Sequence, residues 1–459
     1  MSATLRQIFH LYNRLGFGIS YSEAKVLTTK NVNAIISDLF TSASNGTYLS
    51  LINKEDYSSM NAQHAENNSK EEIQKIAKDK MRELNIHWMK QLIESKNILL
   101  EKQTLFWHDH FACRASNPYF MQELNNIHRK HAFSSFRELL IETAKSPAML
   151  QYLNNQQSRK EHPNENFARE LLELFTLGKG NYTEQDIKET ARAFTGWGFD
   201  KKDGQFTLNQ EKHDTGEKII FGMKGNFGGE DVINMILGNK KTAYHITRKI
   251  YRYYVNEEVK EAQVKELAEF YFANQYNTGE LLKKLFSSPW FLDEENIGCK
   301  IKSPVEFLVG ISRQFKIKYN RYESLFKIQE LLGQKLFYPP NVSGWPKGRA
   351  LVDSSTLLLR MRVPSLLLSP KKAETVPVKK EIEGIETQEE NTNSNSVGAE
   401  INWEMILNEL QGLDIEMLQN VLLAKTPLAT VTEKIKGMSA LSRQDMIIKI
   451  VSLPEYSLL

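Results

Sequence analysis

The sequence predicts a mainly α-helical fold, with one large helical domain and a small β-hairpin excursion near residues 196–229. Two observations support this prediction. Apolar residues recur at helical spacing through most of the 459-residue chain. One stretch, "GWGFDKKDGQFTLNQEKHDTGEKIIFGMKGNFGG", departs from that spacing and is rich in glycine and aromatic residues.

The N-terminal helices follow from the positions of the apolar residues. Residues 4–15, "TLRQIFHLYNRL", predict a first helix, and residues 22–40 show the same periodicity. Residues 57–72 are polar and predict a loop or a frayed helix start. A long helical pattern then extends over about 71–111, and we expect a break in it near 95–97.

Two later helices have well-specified starts. Thr183 and Asp186 have the spacing of a capping box ahead of an apolar-periodic run. Ser303, Pro304 and Glu306 combine an N-cap residue, a first-turn proline and a glutamate at the third position. Helix capping explains these residue types at these spacings, so we predict a structural role for both groups.

The excursion contains two short runs with strand character. Residues 205–209, "QFTLN", follow the turn signal Asp203-Gly204, and residues 218–223 read "KIIFGM". Together these runs predict a small hairpin within an otherwise helical protein.

A change of composition divides the chain. Residues 370–402 lack aromatic residues and contain many charges and an Asn/Ser tract, which is typical of a flexible polar linker. We therefore predict a main helical domain over 1–369, the linker over 370–402, and a C-terminal helical unit over 403–459 that packs on the main domain.

The overall composition argues against several classes of function. The 59 basic and 56 acidic residues leave a net charge of +3, so no nucleic-acid partner is expected. No apolar run is long enough to span a membrane, and the lack of a signal peptide favours a cytoplasmic location. Two cysteines, Cys113 and Cys299, suffice neither for a disulfide framework nor for a structural zinc site.

The first candidate site is the segment 164–178, "NENFARELLELFTLG". At 100° per residue its apolar side chains share one arc, while Glu165, Arg169, Glu170 and Glu173 share the opposite arc. This polar arc is either a solvated helix face with weak ion pairs or the wall of a cleft. In a cleft, crowded carboxylates have raised pKa values and can act as acid and base.

Two further segments combine histidine with aspartate. In "LFWHDHF", 105–111, the apolar residues surround the helix, so His108 and His110 are either hydrogen-bonded core residues or metal ligands. On a helix they lie about 200° apart and cannot bind one metal from one face. His213-Asp214 lies in the excursion and forms either a turn, or a metal-binding or proton-transfer pair.

Taken together, these segments resemble a bacterial family known as domain of unknown function 1800. The resemblance is carried by these stretches: "RLGFG" (14–18), "FWHDHF" (106–111), "NENFARELLELFTLGKGNYTEQDIKETARAFTGW" (164–197), "HDTGEK" (213–218), "IKSPVEF" (301–307), "PPNVSGWPKGR" (339–349) and "LPEY" (453–456). Leu351 is a departure, because many relatives have a tryptophan after the Gly-Arg pair.

The resemblance implies that the polar motifs recur in the family. This recurrence favours a functional role for Glu165, Arg169, Glu170, His108, His110, His213 and Asp214. It also implies a neighbouring gene for a partner that looks like a sulfatase or alkaline phosphatase.

Two hypotheses follow. The first is a hydrolase-type enzyme whose acid–base groups lie on the 164–178 helix and the 213–218 loop, with a divalent metal as an allowed cofactor and His108 and His110 as candidate ligands. The second is a non-catalytic helical binding or accessory protein that works with the sulfatase/phosphatase-like partner.

Overall fold

The computed structural model describes residues 2–44, 46–60, 69–369, 397–437 and 441–459. The mainly α-helical prediction is confirmed, since these residues form 22 α-helices and three two-stranded antiparallel sheets. No helix in this part of the chain has the length and apolar character needed to cross a membrane.

The first half of the chain contains eleven α-helices. In chain order they are α1 (Leu5–Leu15), α2 (Tyr21–Leu27), α3 (Val32–Ala43), α4 (Lys54–Met60), α5 (Lys70–Glu94), α6 (Ile98–His110), α7 (Pro118–Lys130), α8 (Phe136–Lys145), α9 (Pro147–Tyr152), α10 (Glu165–Glu170) and α11 (Glu184–Ala193). A π-helical turn, Leu171–Thr176, directly continues α10.

The second half contains the other eleven. They are α12 (Gly229–Gly238), α13 (Lys240–Tyr254), α14 (Glu261–Ala273), α15 (Thr278–Phe286), α16 (Pro304–Gln314), α17 (Glu323–Leu331), α18 (Ser354–Leu368), α19 (Trp403–Glu409), α20 (Ile415–Leu422), α21 (Ala429–Lys436) and α22 (Arg443–Val451). Short 3₁₀ turns lie at Asn155–Gln157, Pro289–Leu292, Glu294–Asn296, Gly348–Leu351 and Pro454–Ser457.

Local sequence signals account for many helix ends. The expected break after residue 94 separates α5 from α6. The capping boxes at the starts of α11 and α16 are both present, with Asp186 and Glu306 bonded back to the N-cap residues. Residues 22–40, by contrast, belong to two helices, α2 and α3, because Asn31 caps a new start.

The excursion contains two hairpins. β1 (Trp197–Phe199) pairs with β2 (Phe206–Leu208), and β3 (Lys218–Ile220) pairs with β4 (Met223–Gly225). The pairing of 205–209 with 218–223 was therefore wrong, because each run pairs with a closer neighbour. Phe221 and Gly222, both at positive φ, form a tight two-residue turn between β3 and β4.

The C-terminal residues contact the rest of the chain at several points. The backbones of Lys300 and Leu459 exchange two hydrogen bonds, and Lys302 N–H donates to Ser457. A third small sheet joins β5 (Lys318–Tyr319) to β6 (Ala399–Glu400). The division into a main domain, linker and C-terminal unit stays a prediction, and residues 370–396 of that linker lie outside the described residues.

Candidate functional site

The polar face of the 164–178 segment forms an exposed ion-pair cluster. Arg169 donates to both carboxylate oxygens of Glu184, at 3.0 and 3.1 Å, and to Glu165 at 3.3 Å. Hydrogen bonds to Glu184 raise the pKa of Arg169. Burial and the nearby charge of Glu173 raise the pKa of Glu170, which is half-buried.

The His213-Asp214 pair is held by the end of α11. His213 Nδ1 lies 2.8 Å from the Thr195 carbonyl oxygen, and Arg192 binds Asp214 with two nitrogens, at 2.7 and 3.2 Å. Burial alone raises the pKa of Asp214, but its bonds from Arg192 and from the Gly216 amide outweigh that effect and lower it.

The structure therefore assembles the five predicted catalytic residues into two separate groups. Glu165, Arg169 and Glu170 share one face of α10, while His213 and Asp214 bind residues at the end of α11. No hydrogen bond or ion pair among the described residues joins the two groups. Their catalytic role stays a prediction.

His108 and His110 point to different neighbours from the end of α6. His108 Nε2 accepts the Phe337 amide at 3.2 Å, and burial lowers the pKa of His108 to about 3. His110 lies beside the π-helical turn and α13. Within the described ranges, no three or more His, Cys, Asp or Glu side chains are arranged to hold a metal ion.

A cavity of about 220 Å³ lies where several of the quoted segments meet. Its lining includes residues of α6, the residues around the start of α16, and the loop 345–351. Helix α13 contributes Lys249, Arg252 and Tyr253.

The π-helical turn supplies backbone acceptors beside this cavity. The carbonyl of Leu174 accepts from Lys249 Nζ at 2.7 Å, and the carbonyl of Phe175 lies 3.2 Å from His110 Nε2. Carbonyls in the last turn of a helix lack helical partners and attract donors and cations. Gly178 follows the turn two residues later; its φ is +82°, and an added Cβ there would lie 2.6 Å from His245 Nδ1.

Lys249 is the central polar residue of the cavity. Its Nζ lies 3.2 Å from His110 Nδ1, so the lysine contacts both the histidine and the turn. Loss of water, together with the charge of Lys347, lowers the pKa of Lys249 to about 7 against the opposite effect of Asp109. Burial and the charge of Lys249 keep the pKa of His110 well below its usual value.

Asp109 is the one residue of α6 that is not buried. Its Oδ1 accepts the Trp345 amide at 3.1 Å, and its Oδ2 lies 2.8 Å from Lys347 Nζ. Gly344 passes directly over it at a φ of +87°, and an added Cβ there would lie 2.3 Å from Oδ1 and 2.8 Å from the Asp109 carbonyl oxygen. The loop is thus bound to the end of α6 and carries Lys347 to the cavity.

Glu306 closes another side of the cavity. One carboxylate oxygen accepts the Ser303 amide at 2.7 Å, and the other pairs with buried Lys102. Burial alone raises the pKa of Glu306, but Lys102 more than compensates and the pKa is lowered. This glutamate therefore serves as cap and ion-pair partner.

A profile of proteins of unknown function, DUF1800, matches residues 10–458, nearly the whole chain. The chain belongs to this family. No significant match was found among curated proteins or solved structures. Membership of DUF1800 specifies no activity, so any activity has to be inferred from the cavity and its residues.

Lys249 and Lys347 were not among the predicted site residues. A signal for Lys249 was present in α13, because it interrupts the helical stripe formed by Thr242, Ile246 and Tyr253. A lysine within an apolar stripe indicates either a snorkelling side chain or a buried site. No local pattern indicated that Lys347 would reach Asp109.

Proposed function

We propose that this protein is a hydrolase-type enzyme and that Lys249 is its general base. The observation that supports this is the hydrogen-bond relay from the Phe175 carbonyl through His110 to Lys249 and on to the Leu174 carbonyl. The relay leaves one position on Lys249 Nζ without a partner among the described residues.

The protons of this relay follow from the identity of each acceptor. A carbonyl accepts only, so His110 Nε2 carries the hydrogen and its Nδ1 accepts from Lys249. A neutral lysine has two N–H groups, and His110 and the Leu174 carbonyl take both. The lone pair then occupies the third position, in a side chain that lines the cavity.

This arrangement suits base-assisted attack by water. The Lys249 lone pair takes a proton from a water molecule while the water oxygen bonds to the electrophilic centre of the substrate. The resulting ammonium returns that proton to the leaving group as the bond to it breaks. Lys347, held by Asp109, provides positive charge for the oxyanion that develops.

A panel of chromogenic substrates tests the proposal directly. Carboxylic, phosphate and sulfate esters and glycosides are assayed with the wild type, Lys249→Met and the matched control Lys241→Met. Lys241 is exposed on the same helix and does not line this cavity. We expect Lys249→Met alone to lose activity, whereas activity retained in that variant would contradict the proposal.

The ionisation of Lys249 is measurable without a substrate. Reductive methylation with formaldehyde and cyanoborohydride modifies only neutral amines. At pH 7, mass spectrometry should find Lys249 modified much faster than Lys241, because an ordinary lysine is almost fully protonated at that pH. Equal modification rates at the two lysines would contradict the assignment of Lys249 as the general base.

A second candidate function is the non-catalytic accessory protein that works with a sulfatase/phosphatase-like partner. The observation that favours it is the pairing of Arg169 with Glu165 and Glu184, which gives the 164–178 helix a structural use for its charges. This candidate would be supported if the partner co-purified with this protein and this protein showed no activity on the substrate panel. Loss of a measured activity in Lys249→Met, with folding intact, would exclude it.

A further inference from the structure

A separate groove of about 950 Å³ lies between α5, the 114–117 segment, the 3₁₀ turn at 155–157, and the first hairpin. No described residue lines both this groove and the Lys249 cavity. This groove is therefore independent of the proposed hydrolase site.

The charged side chains that line the groove are all basic. Among the described residues they are Lys78, Arg114, Lys201 and Lys212, and no aspartate or glutamate of those residues lines it. Lys78, Arg114 and Lys212 form no ion pair with any carboxylate of the described residues. In a protein with a net charge of only +3, this concentration of positive charge indicates an anionic ligand.

The groove also offers amide groups besides its basic side chains. Gln74 and Gln151 line it, and each side-chain amide both donates and accepts hydrogen bonds. A carboxylate or sulfate group only accepts, so it leaves the amide oxygens without a donor. Hydroxyl groups both donate and accept, and they suit these amides in either direction.

The aromatic walls argue against a single-stranded nucleic acid. Single-stranded nucleic acids bind on open aromatic faces. Here Trp197 is only 4% exposed and lies edge-on between Phe194 and Phe206. Phe199 and Tyr338 are partly buried, and Arg114 lies over the ring of Tyr338.

We propose that the groove binds an acidic oligosaccharide. Its carboxylate or sulfate groups pair with Lys78, Arg114 and Lys212, and its hydroxyl groups bond to Gln74 and Gln151. The volume is at the upper end of the range of about 300–1,000 Å³ seen for ligand pockets, which suits several sugar units.

Calorimetric titration of the full chain tests this proposal. The probes are a tetragalacturonate, a heparin-derived tetrasaccharide, neutral cellotetraose and a twelve-residue oligothymidylate. We expect an acidic tetrasaccharide to bind at least tenfold more tightly than cellotetraose, and higher salt to weaken that binding.

Variants locate the binding. Arg114→Glu and Lys212→Glu should each weaken the acidic tetrasaccharide at least tenfold, while Lys241→Glu, on exposed α13 surface, should change it less than twofold. Gln151→Leu should weaken it several-fold with all charges retained. Melting curves check that each variant is folded.

Three results would overturn the proposal. Neither acidic tetrasaccharide binds at millimolar concentration, cellotetraose binds equally well, or the oligothymidylate binds most tightly and is lost in the same variants. The last result would assign the groove to single-stranded nucleic acid.

Discussion

The outer cluster (Glu165, Arg169 and Glu184) and the inner relay (His110, Lys249 and the π-helical carbonyls) are both hydrogen-bonded polar groups built around the 164–178 segment. They differ in exposure to water. The Arg169 and Glu184 side chains are 39% and 70% exposed, whereas His110 is buried and Lys249 lies against it. Pairing raises the pKa of Arg169 and so keeps it charged, whereas burial lowers the pKa of Lys249 to about 7.

One helix can therefore present two kinds of polar group. Side chains on its outer face pair in water, where attraction is weak and the charged form is favoured. The backbone carbonyls at the end of the helix accept hydrogen bonds from side chains that are shielded from water. In that environment the neutral form of a lysine is favoured. Catalysis needs the second condition, because a general base must be deprotonated near neutral pH.

The largest expected effect distinguishes the inner relay from the polar face of the 164–178 helix in one kinetic assay. Lys249→Met should lower kcat/KM by about 10²–10⁴-fold, the usual contribution of a general base. Glu170→Gln should change it less than threefold, because that carboxyl lies outside the cavity. A large loss in Glu170→Gln with little loss in Lys249→Met would reverse the assignment and favour the site predicted from sequence.

The pH dependence should show the next largest effect. Because Lys249 must lose its proton, kcat/KM should fall about tenfold per pH unit below about 7 and reach a plateau above it. A rate that rises as pH falls would instead indicate a protonated catalytic group.

The same group links stability to pH. Its pKa is lowered from 10.5 to about 7 on folding, so the unfolded chain binds more protons between these values. Stability of the wild type relative to Lys249→Met should therefore increase as pH rises through this window. Chemical denaturation at pH 7 and pH 10 measures the difference, and an unchanged difference would contradict the lowered pKa.

A fourth prediction concerns the loop that carries Lys347. Gly344→Ala should destabilise the protein by about 2 kcal/mol more than Gly180→Ala, because of the clash with Asp109. The two glycines have nearly equal φ values, +87° and +83°, but Gly180 has open space around it. Equal melting temperatures for the two variants would show that the loop does not press on Asp109.

The smallest effect is expected at the outer cluster. Arg169→Ala should leave the melting temperature unchanged within about 2 °C, because exposed ion pairs contribute little. Arg192→Ala is the matched comparison, since Arg192 binds Asp214 and Glu189 in a less exposed setting, and it should lower the melting temperature more. If Arg169→Ala proved the more damaging, the cluster would have a role beyond surface pairing.

Local patterns predicted those parts of the fold that depend on local interactions. The interruption after residue 94 and the capping boxes at Thr183 and Ser303 are each determined within a few residues. Strand pairing was less predictable, because "QFTLN" pairs with Trp197–Phe199 rather than with "KIIFGM". Any of the three short runs has the composition of a strand, and only the chain path selects the partner.

The candidate site was predictable only in part. The "FWHDHF" segment was singled out, and His110 and Asp109 do line the cavity. The 100° spacing assumed an α-helix throughout 164–178. The π-helical turn was therefore missed, together with the carbonyls that it presents to Lys249 and His110. Lys249 was missed because its lowered pKa depends on burial and on the charges of Lys347 and Asp109, which lie 98 and 140 residues away in the chain.

The sequence by itself determined the helical fold, the main helix starts and membership of the DUF1800 family, because periodicity, capping and motif order are properties of short segments. Only the tertiary structure decided which polar side chains are buried away from water. In the folded chain, α6, the π-helical turn and α13 pack around Lys249. The lysine loses its water only through this packing of distant segments, so its desolvation is not encoded in any short stretch of sequence.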